Sequence, residues 1–140
     1  MTANADDLDA VRQFATQTTR AILVTRRKDG GLQSSPMSVI ADADGNVLTA
    51  TRAKNAKTYN LARDPQATLC LFAERWPGPW MQVEGEAQIE RLPDAMPLLM
   101  EYYGRRGQDT TTDEFRERML NENRVLIRVR PQRVVRPRSG

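Results

Sequence analysis

The residues best placed to do chemistry lie together in Thr49-Ala50-Thr51-Arg52-Ala53-Lys54-Asn55-Ala56-Lys57, followed by Thr58-Tyr59-Asn60-Leu61 and closed by Asp64-Pro65. The stretch reads as the end of a strand, a short basic loop and the first turn of a short helix. Asn55 is an N-cap candidate, and the N–H groups after it would lack intrahelical partners and point back toward the loop. Arg52, Lys54 and Lys57 surround that opening. A helix N-terminus with cations beside it suits a phosphate or another anion. The competing reading is a solvated basic turn with no ligand.

What the chain lacks sharpens the choice. It has no histidine, which removes His-based general base catalysis, Ser-His-Asp and Cys-His nucleophile schemes, and most zinc sites. Its one cysteine, Cys70, sits in the apolar run Thr68-Leu69-Cys70-Leu71-Phe72 and is expected to be buried and inert. No intrachain disulfide can form. A bound anionic cofactor is therefore the place to look for chemistry.

Other constellations carry less. Ser34-Ser35-Pro36-Met37-Ser38 puts small polar residues and a proline into a strand. That fits an edge facing water, or a backbone that hydrogen-bonds a flat heterocycle with Met37 or Val39 packing on it. Trp76, Trp80, Tyr102 and Tyr103 hold much of the aromatic surface, for a core, a dimer contact or a stacking wall. Glu84 and Glu86 share a strand face, yet no third metal ligand is evident near them. Of 21 basic side chains only three are lysines, and the tail (Arg128, Arg130, Arg133, Arg136, Arg138) is the densest basic segment, so nucleic acid must be considered.

The elements that must position these residues follow from period and punctuation. At 140 residues, 39% hydrophobic and 28% charged, the chain is expected to be one domain spanning 1–140, with 1–5 and 137–140 loose. Leu8, Val11, Phe14 and Ala15 predict a helix over 7–17. Strands are expected at 21–25, 32–41, 46–51, 67–72, 80–90 and 124–130. Turns fall at 28–31 and 42–46, and Gly85 marks a bulge. Helices are expected at 56–63, 93–103 and from a capping box at Thr111-Thr112-Asp113-Glu114 to about 122. The result is a mainly β fold with peripheral helices: an antiparallel barrel of about six strands. No apolar run approaches the ~20 residues of a membrane span. The polar, acidic start Met1-Thr2-Ala3-Asn4-Ala5-Asp6-Asp7 is unlike a signal peptide, so the expected location is cytoplasmic, away from membranes.

In this order, Lys57, then Asn60-Leu61-x-x-Asp64-Pro65-x-Ala67, then Val83-Glu84-Gly85-x-Ala87, the chain resembles the pyridoxamine 5′-phosphate oxidase-like split β-barrel family over nearly its whole length. Its short length and the segment 114–134 look most like the branch that uses the deazaflavin coenzyme F420. The resemblance implies a homodimer with two cofactor sites at the subunit interface. It places the cofactor phosphate at Lys57, with Arg52, Lys54, Asn55 and Ala56 nearby. It places the ring near Ser35, Pro36, Met37 and Ser38 and along Thr49, Ala50 and Thr51, with Trp80 among the cofactor contacts. Several members carry an arginine one or two residues before the matching lysine. Here those positions are Ala56 and Asn55, leaving Arg52 or Lys54 to compensate. Pyridoxamine-phosphate oxidases proper also carry an Arg/His substrate signature that a histidine-free chain cannot have.

The expected activity is hydride transfer from reduced F420 to an electron-poor planar organic substrate, with no catalytic side chain or metal assigned. Such a cofactor carries the hard chemistry, while the protein binds and orients. The alternatives are an FMN flavoprotein of the same fold, an F420-binding protein without turnover, and a basic nucleic-acid-binding barrel.

Overall fold

The computed structural model describes residues 2–137; the expected looseness of Met1 and of 138–140 lies outside the described residues. Before the first helix, the Ala3 N–H donates to the Pro131 carbonyl at 3.0 Å. In chain order the elements are α1 (Ala5–Gln17), β1 (Arg20–Arg26), β2 (Leu32–Ser38), β3 (Ile40–Ala41), β4 (Val47–Arg52), α2 (Ala56–Arg63), β5 (Gln66–Phe72), β6 (Trp80–Glu90), α3 (Met96–Arg105), α4 (Asp113–Glu122) and β7 (Arg124–Val135).

Period-two alternation makes the sheet. Along β1, β5 and β6, every second residue is buried, because successive side chains point to opposite faces. The seven strands pair in the order β2-β1-β5-β6-β7-β4-β3, antiparallel throughout. The two ends of that order are separated in sequence only by Val39. The sheet therefore curls until its edges meet in one continuous stretch of chain, which is a split barrel. Leu23, Leu69, Leu71, Val83, Ile127 and Val129 fill its interior. A second core lies outside the barrel, where Leu48, Ala50 and Leu126 pack under Leu99, Tyr102, Phe115 and Met119 of α3 and α4.

The expected count of about six strands becomes seven because the stretch 32–41 breaks at Val39. The Val39 N–H donates to the Thr19 carbonyl at 2.8 Å, and its side chain is fully buried. The hydroxyls of Thr49 and Tyr102 both donate to the Ser38 carbonyl, at 2.8 and 2.7 Å. These bonds turn the chain from its partner β1 to its next partner β4. The last strand runs past Arg130 to Val135 through the anticipated bulge. Glu84 faces Arg133 while Gly85 faces Pro131, so Gln132 has no opposite number. A Cβ at Gly85 would lie 2.2 Å from the Arg130 carbonyl oxygen, which is why glycine stands there.

Two helix starts differ from expectation. α3 begins at Met96, not Pro93, with Pro97 in its first turn. α4 is capped by Thr112, whose hydroxyl accepts the Phe115 N–H at 3.1 Å. The residue a capping box needs as an acid is thus the core residue Phe115, and the reciprocal half of the box does not form. Thr111 instead donates its N–H and hydroxyl to Asp109.

Candidate functional site

β4 delivers the basic loop and α2 anchors it. The Ala53 N–H donates to the Asn123 carbonyl at 2.9 Å and the Asn55 N–H to the Arg52 carbonyl at 3.1 Å. The Thr58 hydroxyl donates to the same Arg52 carbonyl at 2.9 Å. Asn55 occupies the N-cap position but makes no side-chain cap; its amide donates instead to the Thr51 hydroxyl at 2.7 Å. The N–H groups of Thr58 and Tyr59 turn back to the Asn55 carbonyl. Those of Ala56 and Lys57, earlier in the first turn, lack intrahelical acceptors by the geometry of a helix start.

The three cations of the loop are not equivalent. Arg52 lies 3.6 Å from Glu122 Oε1, while the other oxygen of that carboxylate, Oε2, accepts from Arg124 Nε at 2.6 Å. The Arg124 hydrogen bond holds the Glu122 carboxyl below its ordinary range. Lys54 is exposed and borders a hollow of about 330 Å³ with Tyr59, Arg91 and Asn123. Lys57 is half-buried, and desolvation pushes its pKa below the ordinary lysine value. No carboxylate lies within ion-pair distance of Lys57 among the described residues. A desolvated ammonium beside an uncapped helix N-terminus fits a phosphate.

α2 is locked to the strands that would carry a ring. Asn60, 6% exposed, donates to the Thr25 hydroxyl and to the Gln33 side-chain carbonyl at 3.1 and 3.0 Å. Arg63 donates to Asn60 and to the Arg26 carbonyl. Asp64 accepts the Gln66 N–H and pairs with Arg26. The Asn-Leu-x-x-Asp-Pro segment is therefore the clasp that fixes the loop against β1 and β2.

Of the strand residues, Thr49, Ala50 and Thr51 are all buried: the threonines meet Ser38 and Asn55, and Ala50 the second core. Met37 packs against the barrel core and Val39 lies inside it, so neither is free to cover a ligand. Ser35 alternates inward with Met37, Ser38 offers its carbonyl to Thr49 and Tyr102, and Pro36 faces outward. β2 pairs only with β1 over residues 32–38, leaving its other edge open.

The aromatic residues do not form one cluster. Tyr102, Tyr103 and Phe115 stack edge-to-face in the second core, with centroids 4.9 and 5.7 Å apart. Trp76 and Trp80 line a separate apolar cavity of about 400 Å³ with Ile22, Cys70 and Phe72. Trp80 opens β6 opposite Phe72, whereas Arg52 pairs with Arg124 at the other end of β7. Most of a strand, on the order of 30 Å, separates Trp80 from the loop within one chain. Cys70 is half-buried, not buried as expected, because its position in the alternation of β5 faces away from the barrel core; desolvation there still raises its thiol pKa, which disfavours the reactive thiolate. Glu84 pairs with Arg133, and no group of three metal-ligating side chains occurs among the described residues. Arg128 and Arg136 also meet acids, Glu90 and Asp7, so of the tail's described arginines only Arg130 has no carboxylate within ion-pair distance. Glu122 was not singled out in the sequence, and Asn60 stood there only as part of the Asn60-Leu61-x-x-Asp64-Pro65 motif, without its role as a clasp.

Comparison with known proteins agrees with this architecture. The family model described as pyridoxamine 5′-phosphate oxidase matches residues 8–136. Among solved structures, the protein Rv2991 of Mycobacterium tuberculosis is 24% identical, with a TM-score of 0.72 over 100% of this chain and 92% of that one. A protein named F420 reductase is 20% identical, with a TM-score of 0.68 over 89% and 94%. A heme binding protein of Mycobacterium smegmatis is 18% identical, with a TM-score of 0.68 over 97% of this chain and 55% of that one. No helix among the described residues is long and apolar enough to cross a membrane. The chain belongs to the pyridoxamine 5′-phosphate oxidase family.

Proposed function

We propose that this family member is an oxidoreductase that binds the deazaflavin F420, and that it does so as a homodimer. The observation that carries the reading is Lys57: half-buried, desolvated, without a counter-ion among the described residues, and beside an uncapped helix start. A phosphate there would accept from the Lys57 ammonium and from the first N–H groups of α2. The likeness to a protein named F420 reductase supports the deazaflavin.

Bound F420 would supply hydride transfer to an electron-poor planar organic substrate. This chain's residues bind and orient. Lys57 holds negative charge. Arg52, shared with Glu122, sets the net charge around it. Asn60 keeps α2 fixed against β1 and β2. The open edge of β2 offers backbone groups to a flat ring, with Pro36 outward. A second copy covering the outward face of β1, β2 and β5 would exclude water from that ring. The Trp80 wall then belongs to the partner's side of the site or to substrate.

FMN is the second reading, since it shares the ring shape and phosphate; an F420 carrier without turnover is the third. Titration of the purified protein with F420, FMN and haem, read by fluorescence quenching and calorimetry, tests the choice. Micromolar or tighter binding of F420 alone is the expected result. FMN preference would make it a flavoprotein, and haem preference would remove the deazaflavin reading.

A further inference from the structure

A second polar cavity, of about 310 Å³, opens on the outer face of β6 and β7, lined by Asn46, Glu86, Ala87, Gln88, Arg128 and Arg130. It stands apart from the Lys57 site. Arg52 pairs with Arg124, and Arg128 lies four residues further along β7. Three features distinguish it from a solvated sheet face.

Arg128 Nε is buried with no hydrogen-bond partner, alone in that state among the described buried side-chain nitrogens and oxygens. Its guanidinium approaches Glu90 only at 3.8 Å. Buried donors almost always have partners; this Nε is closed to solvent, and the Arg128 side chain as a whole is 30% exposed, so a ligand would reach Arg128 through the exposed part of that side chain. Next, Glu86 and Arg130 stand directly opposite each other on paired strands, yet no ion pair joins them among the described residues. Each charge is left available. Finally, the floor is closely packed. At the Gly85 bulge a Cβ would lie 2.2 Å from the Arg130 carbonyl oxygen, so the two backbones are in close contact beneath the Arg130 side chain.

The lining thus offers two guanidinium groups, one uncommitted carboxylate and two amides. A simple anion would bring its charge beside Glu86, and a simple cation would bring its own beside two arginines. A ligand carrying both signs satisfies each. We propose that this cavity binds a small zwitterion, an α-amino acid or a compound with the same head group. Its carboxylate lies toward Arg128 and Arg130, its ammonium toward Glu86, and Asn46 and Gln88 complete the polar lining.

The test is a ¹H–¹⁵N spectrum of the full chain, following the arginine Nε–H signals. Pools of the common L-amino acids serve as probes, with inorganic phosphate as the anion-only comparison. The expected result is a saturable shift of the Arg128 Nε–H with at least one amino acid and none with phosphate. Glu86→Gln and Arg130→Ala should each weaken that binding by roughly tenfold or more, with the folded spectrum retained. No saturable shift with any amino acid, an equal response to phosphate, or affinity unmoved by both substitutions would overturn the proposal.

Discussion

Lys57 and Glu122 decide the electrostatics of the candidate site between them. Desolvation lowers the Lys57 pKa, so the folded state binds that proton less tightly than the unfolded chain does. Between the lowered folded value and the ordinary unfolded value, the unfolded state holds more protons, and stability rises with pH across that window. Exposure of the rest of the side chain keeps the effect small. An anion reverses the preference, because it stabilises the ammonium. Affinity for a phosphate-bearing ligand should therefore be lost as pH rises through the lowered Lys57 pKa, earlier than for an ordinary lysine. Calorimetry across the alkaline range checks this; an unchanged affinity there would detach Lys57 from the phosphate. Glu122 acts oppositely. It neutralises Arg52 at 3.6 Å, so Glu122→Gln should free that guanidinium and tighten anion binding severalfold. Weaker binding in this variant would mean that Glu122 matters chiefly by holding the loop in place.

At the scale of elements, the buried amide of Asn60 joins α2 to β1 and β2. Asn60→Ala leaves Thr25 and Gln33 short of a partner and should cost about 1–3 kcal/mol of stability. Denaturant unfolding measures the loss, and cofactor affinity should fall with it as the loop loosens. Much of this level was legible in the sequence. The limits of α2 and β6 were expected as found, because Asn55 and Asp64 punctuate one and alternating burial marks the other. Gly85 announced its bulge. The break at Val39 was not legible, since it depends on Thr49 and Tyr102 sharing the Ser38 carbonyl, contacts 11 and 64 residues distant. The aromatic grouping failed for the same reason. Sequence places Trp80 and Tyr102 in one chain region, while the sheet carries Trp80 to the apolar cavity and α3 carries Tyr102 to the second core.

For the whole molecule, the barrel leaves a face with Ile22, Pro36, Leu32 and Cys70 on its outer side, Leu32 being 60% exposed. Our proposal covers this face with a second copy. Sedimentation equilibrium should give a dimer, and Ile22→Asp should give a folded monomer with weakened cofactor binding. A native monomer that binds cofactor fully would place the whole site within one chain. The basic loop and its helix start could be read from sequence, but the far wall that our proposal assigns to a second copy could not, because no local pattern encodes such a contact.

The most direct test is a parallel titration of native protein and Lys57→Ala with F420 and with FMN. Native protein should bind F420 at micromolar concentration or tighter and FMN much more weakly. Lys57→Ala should lose about 1–3 kcal/mol of F420 affinity, the value of one charge-assisted hydrogen bond. Equal F420 affinity in the two proteins, both folded, would contradict the phosphate site.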